Sequence, residues 1–175
     1  LSWLASLCYK RSSSHAPPRA GFFFCGVKKM RIAKTASERS DRKSNEVKKL
    51  VREFERCRLP LSDFKHRAHL SVALFYLTQM PVSAAAHQFR AAIKRFIEHY
   101  GETGYNETIT MFWLNVIVRL LITSEGGRSP ADLLDELLES YGDSRLIFTY
   151  YSRERLQSDE AKAAWVAPDL KPFDL

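Results

Sequence analysis

Several signals are missing from this chain, and each absence removes a class of fold or function. No stretch alternates apolar and polar residues, and no Asn-Gly dipeptide marks a hairpin, which excludes a sheet-based architecture. Only three cysteines occur, Cys8, Cys25 and Cys57, with no Cys-x-x-Cys among them. That rules out a disulfide framework or a thiolate zinc site and leaves free thiols in a reducing compartment as the default. No apolar run reaches the roughly 18–20 residues that a membrane-spanning helix needs. His-Glu-x-x-His, a Gly-rich phosphate loop, a Ser-His-Asp arrangement and internal repeats at solenoid periods are likewise missing.

What is present is charge of one sign at one end. Residues 1–60 hold 15 Lys and Arg against 5 Asp and Glu, a net of +10, while residues 61–175 hold 12 against 15, a net of −3. The overall +7 therefore belongs to an N-terminal extension, and the remainder is mildly acidic. A solvated basic arm can attract nucleic acid or anionic lipid, or be simply an exposed leader, which is the expectation here. Its aromatics are not interleaved with the basic residues and no nucleic-acid module signature accompanies it, so nucleic acid is not the expected partner.

Residues 1–29 carry five Lys and Arg, no acid, Ser12-Ser13-Ser14, Pro17-Pro18 and Phe22-Phe23-Phe24. Leu4 to Leu7 precede Lys10 and Arg11, the wrong order for a secretory signal. The composition suits an organellar transit peptide, while the favoured alternative is that Met30 opens the product and the protein is cytoplasmic. Residues 1–43 are expected to be a disordered basic leader, and 44–175 a single helical domain.

Helical periodicity dominates the rest, and the expected fold is an all-α single-domain bundle of about five main helices plus short C-terminal helices. Val47, Leu50, Val51 and Phe54 repeat at i, i+3, i+4, i+7 and predict a helix from about Ser44 to Arg58, ended by Pro60. Ser62 is a candidate cap for a second helix reaching Met80, whose broad apolar set predicts a central position. Ser83 is a candidate cap for a third, closed at Tyr100 by Gly101; its Arg90, Lys94, Arg95 and Glu98 read as solvated. A fourth, nearly all-apolar helix spans Tyr105 to about Ser124 and is closed by Gly126-Gly127. Ser129-Pro130 opens a fifth. Asp143, Ser152 and Ser158 are candidate caps for short pieces, the last reaching Trp165, and the end from Val166 reads as extended.

Polar residues interrupt this apolar pattern in a few places. His66 and His69 sit three apart and share one helix face. Gly104-Tyr105-Asn106-Glu107-Thr108 opens the fourth helix, where a carboxylate at Glu107 is favoured by the helix dipole. For an enzyme, Glu107 or His66 is the candidate general acid/base and Arg153 the charge-stabilising group. His69, Tyr105, Asn106, Thr108, Arg153 and Arg155 are candidate ligand-binding residues, with Arg153 or Arg155 placed to neutralise Glu107 or bind a ligand carboxylate or phosphate. His66, His69 and Glu107 are also weak candidate ligands for a divalent metal, since a catalytic site needs about three. Thr108, Asn115 and Arg119 form a polar stripe that lines a pocket or runs out to solvent. The structural alternative is that these groups hydrogen-bond within the core.

Four runs carry a resemblance. Phe64-Lys65-His66-Arg67-Ala68-His69-Leu70, Gly104-Tyr105-Asn106-Glu107-Thr108, Tyr151-Ser152-Arg153-Glu154-Arg155-Leu156 and Trp165-Val166-Ala167-Pro168-Asp169-Leu170 occur in that order. Over about residues 60–173 the chain resembles a family of small, uncharacterised, mostly bacterial helical proteins. The resemblance implies a shared pocket and no known reaction. That family usually has histidine at the position of Asn106, so this chain lacks an imidazole there, which argues against a metal. The leading expectation is a pocket between the second and fourth helices, closed by the Tyr-Ser-Arg-Glu-Arg segment, that binds a small anionic ligand with or without catalysis. The alternative is a non-catalytic interaction or regulatory module with a structural His/Glu/Arg network. Oligomeric state is not legible.

Overall fold

Apolar residues at helical spacing need a common interior, and the chain supplies it by wrapping four helices around a fifth. The structure, a computed structural model, describes residues 27–124 and 127–173. The expectations for residues 1–26, including targeting, lie outside the described residues. Helix α1 spans Val27–Glu55, α2 His66–Gln79, α3 Val82–His99, α4 Glu107–Thr123 and α5 Pro130–Tyr141. Short helices α6 (Arg153–Gln157) and α7 (Asp159–Ala163) follow, with 3-10 turns at Leu61–Asp63 and Ser144–Thr149. Among the described residues there is no strand, and no helix is long and apolar enough to cross a membrane.

Helix α2 is the axis: it packs against α1, α3, α4 and α5. His69 through Leu74 are buried in succession, followed by Tyr76 and Leu77. A helix surrounded on all sides cannot keep a polar face, which is why its apolar set is so broad. Helix α4 is nearly as enclosed, touching α2, α3, α5 and α7. Phe54 of α1, Phe64 and Phe96 of α3 form a close aromatic triad, with ring centroids 4.6 to 5.0 Å apart. Each such buried side chain contributes about 2–3 kcal/mol.

Where the helices begin and end differs from expectation in instructive ways. Helix α1 starts at Val27 instead of near Ser44. Its polar stripe finds partners on α5: Ser40 donates to Ser129 at 3.4 Å, and Lys43 pairs with Asp135. Its end is set before Pro60. Cys57 takes a left-handed φ of 52°, its N–H reaches the Phe54 carbonyl, and the Arg58 N–H reaches Glu53. This is a Schellman turn built on a cysteine. Gly101, at φ 67°, closes α3 with the same pair of bonds, to Glu98 and Ile97.

Ser62 does not cap α2; the chain makes a 3-10 turn there, buries Phe64 and restarts at His66 with no side-chain cap. Ser83 lies inside the first turn of α3, because Pro81 already sets the extended entry angle. Asn106 caps α4, accepting from the Ile109 N–H at 2.9 Å, so that helix starts at Glu107 and not Tyr105. It ends at Thr123, ahead of the glycine pair. Ser129, Asp143, Ser152 and Ser158 cap as expected, each accepting a backbone N–H in the first turn. Helix α7 stops at Ala163, short of Trp165.

Candidate functional site

The first turn of a helix leaves backbone N–H groups without partners, so it attracts a carboxylate. Glu107 occupies that place on α4 and is buried at 4% exposure. A buried carboxylate needs donors and a counter-charge. Tyr105 donates its phenol hydrogen to Oε2 at 2.6 Å, Arg90 reaches Oε1 at 2.5 Å, and Lys94 Nζ stands 3.9 Å from Oε2. Lys94 also lies over the Tyr105 ring, 4.6 Å from its centroid. Burial, then the hydrogen bond and charge of Glu107, push the Tyr105 phenol up to about 12. Burial opposes the charge on Arg90, but its contacts with Tyr105 and Glu107 outweigh that and hold the guanidinium above its ordinary range.

The cations on Glu107 are therefore Arg90 and Lys94 of α3, which the sequence presented as solvated. Arg153 and Arg155 do other work. Arg153 lies over the Phe148 ring at 4.6 Å. Arg155 donates to the Ala167 carbonyl at 3.4 Å and pairs with Glu160 at 3.2 Å. The signal for the real partners was available in the i, i+4 spacing of Arg90 and Lys94. Both flank Phe89 and Ile93, which are buried, so the pair borders the packed face of α3.

The histidines belong to different surroundings. His66 lies at the start of α2, where its Nε2 donates to the Tyr141 carbonyl at 3.1 Å and its ring packs 4.4 Å from that of Trp113. Burial lowers its pKa, against the opposing pull of the Tyr141 carbonyl and Asp143. His69 is fully enclosed, stacked on Phe64 at 5.7 Å and edge-on to Phe89 at 5.0 Å. Desolvation drives its pKa down to about 3, so the imidazole is neutral. His66 thus faces α4 and α5, His69 faces the phenylalanines, and Glu107 faces α3. Among the described residues no group of three His, Cys, Asp or Glu side chains is arranged to hold a metal ion.

Asn106 and Thr108 point to the C-terminal segment. The Asn106 amide donates to the Leu156 carbonyl at 2.7 Å while its oxygen caps α4. The Thr108 hydroxyl donates to the Ala164 carbonyl at 2.8 Å and accepts the Val166 N–H at 3.2 Å. Tyr151 donates to the Val166 carbonyl at 2.9 Å, and the Ser152 N–H to Asp169 at 2.9 Å. The polar stripe on α4 runs from buried Thr108 through half-buried Asn115 to exposed Arg119, so its far end meets solvent.

Concave surfaces among the described residues lie elsewhere. A groove of about 210 Å³ between α1, α2 and α5 has Val47, Leu74, Phe75 and Leu134 as its apolar lining and Lys43 and Lys48 beside them. An open hollow lies within the arc from Trp165 to Phe173. Neither is lined by His66, His69 or Glu107. Comparison with protein-family models, with curated proteins and with solved structures gives no match.

Proposed function

We propose that this chain is a non-catalytic interaction module, in which the histidines, Glu107 and the arginines are internal ties and basic α1 engages an acidic partner. The observation that supports this reading is the commitment of the polar groups. Glu107, Asn106, Thr108, His66 and Arg155 each bond to a group on another element of the bundle, and those partners are five different places. An acid/base or ligand site needs such groups to converge on one point with capacity left over. A structural network needs them spread and satisfied.

The two uses separate in stability. Glu107→Gln, Asn106→Ala and Thr108→Val each lower the midpoint of thermal unfolding if the groups hold the fold. Groups kept for binding or catalysis are neutral or stabilising when removed, because functional sites carry a stability cost. The companion measurement is a thermal-shift panel of divalent metals, carboxylates and inorganic phosphate. A rise in midpoint that disappears in Glu107→Gln would overturn the proposal in favour of a ligand site.

A further inference from the structure

Helix α1 has two faces with different fates. Val47, Leu50, Val51 and Phe54 pack against the bundle. Opposite them, at spacings of seven, three and four residues, lie Arg42, Lys49, Arg52 and Arg56, all exposed. Lys48, beside the groove on α1, and Arg58, past the turn at Cys57, are exposed too. None of the six side chains has an ion-pair or hydrogen-bond partner among the described residues, whereas Lys43, on the inner side, is paired with Asp135. The same helix carries Lys28, Lys29, Arg31 and Lys34 toward its N-terminus. From Val27 to Glu55 it holds ten basic and five acidic residues over about 43 Å.

We infer that this ridge docks on the phosphate backbone of a nucleic-acid duplex, without reading sequence. The inference rests on the interaction-module reading and names its acidic partner. The deciding feature is what the ridge omits. A protein partner needs a desolvated apolar centre to its interface, built on aromatic or aliphatic anchors. Among the residues whose side chains are described, the exposed large hydrophobic ones are Val82, Tyr100, Ile122, Trp165 and Leu170, and none lies on α1 between Ser37 and Glu55. Insertion into an anionic membrane needs an apolar helix face, and the one beside this ridge, Val47 to Phe54, packs against the bundle. Single strands are held by stacking on aromatic side chains, which the ridge also lacks. Contacts to duplex phosphates need neither; they need cations in a line. Arg42 to Arg56 covers about 21 Å, a length over which a duplex presents about twelve phosphates. The missing aromatics, one of the two sequence-level arguments against nucleic acid, thus argue only against single strands, and the other, the lack of a module signature, bears on sequence readers.

The test uses the full chain and fluorescence anisotropy, with labelled 20-base-pair DNA and RNA duplexes of arbitrary sequence. About five phosphate contacts give a salt slope near −4.5, so affinity falls about 500-fold between 50 and 200 mM KCl. Lys49→Glu, Arg52→Glu and Arg56→Glu together weaken binding at least tenfold and flatten the slope by about three contacts. Reversal of Arg145, Lys162 and Lys171, which changes net charge equally, leaves most of the affinity in place. Circular dichroism melts confirm that both triple variants stay folded. Equal loss in both variants overturns the ridge. Binding to polyglutamate or to phosphatidylserine vesicles without binding to either duplex overturns the duplex assignment while the module reading stands. Failure to bind any of these polyanions overturns both. Preference between DNA and RNA duplexes identifies the source of the phosphates.

Discussion

His69 makes the sharpest demand on this structure, because a neutral imidazole is enclosed where an ionised one cannot stay. Its native pKa is about 3, while an unfolded chain holds histidine near 6.5. Between those values the unfolded state binds the proton and the native state does not, so stability rises with pH and is lost as pH falls below about 6.5. At one pKa unit per 1.36 kcal/mol, moving from pH 8 to pH 5 removes about 2 kcal/mol. In a domain of this size that lowers the unfolding midpoint by about 4–8 °C. The depressed pKa of His66 adds to the loss with the same sign. Urea unfolding followed by circular dichroism at pH 8, 7, 6 and 5 gives the slope. His69→Phe and His69→Leu, neither of which titrates, abolish most of it; His66→Gln removes only the smaller part. The His69 ring protons, followed by NMR, stay unshifted down to about pH 4.5. A wild-type midpoint that is flat from pH 8 to pH 5, or variants that lose as much as wild type, would refute the enclosure between Phe64 and Phe89.

Other substitutions probe the remaining ties. Arg90→Met leaves Glu107 with the Tyr105 hydrogen bond and the more distant Lys94 and lowers stability by about 1–3 kcal/mol, less than for a fully buried pair because Arg90 is 37% exposed. A double-mutant cycle with Glu107→Gln returns a coupling above about 0.5 kcal/mol; additivity would show that the pair does not interact. Cys57→Gly relieves the left-handed strain at φ 52° and raises stability by about 1 kcal/mol in urea titrations; a loss would contradict the turn. Tyr151→Phe removes the 2.9 Å bond to the Val166 carbonyl and costs about 1–2 kcal/mol. Ser129→Ala, read by the same titrations, costs about 1 kcal/mol through the lost cap on α5.

The helical class and the position of α2 were legible because burial on every side leaves a mark in the residues themselves. The caps Ser129, Asp143, Ser152 and Ser158 were legible because a short oxygen-bearing side chain before a helix has one common use. Asn106 has the same chemistry, yet it sat inside a polar cluster that drew attention as a ligand site, and its cap went unread. The start of α1 was hidden for another reason: residues 30–43 have no apolar period, and their partners Ser129 and Asp135 come from about 90 residues later. The pairing of Glu107 with α3 was only half legible: the i, i+4 spacing of Arg90 and Lys94 marks a cationic edge beside the packed face of α3, but nothing local says which carboxylate it will meet. A charge can be read from sequence; its counter-charge cannot.

Thr108 has a consequence for the order in which the molecule comes apart. One hydroxyl serves Ala164 and Val166 at once, and two residues earlier Asn106 holds Leu156. The first turn of α4 and residues 156–166 are therefore expected to open together. Their amides are expected to exchange with deuterium together, at one shared rate, and Thr108→Val to accelerate both sets while sparing the α1–α2 contact.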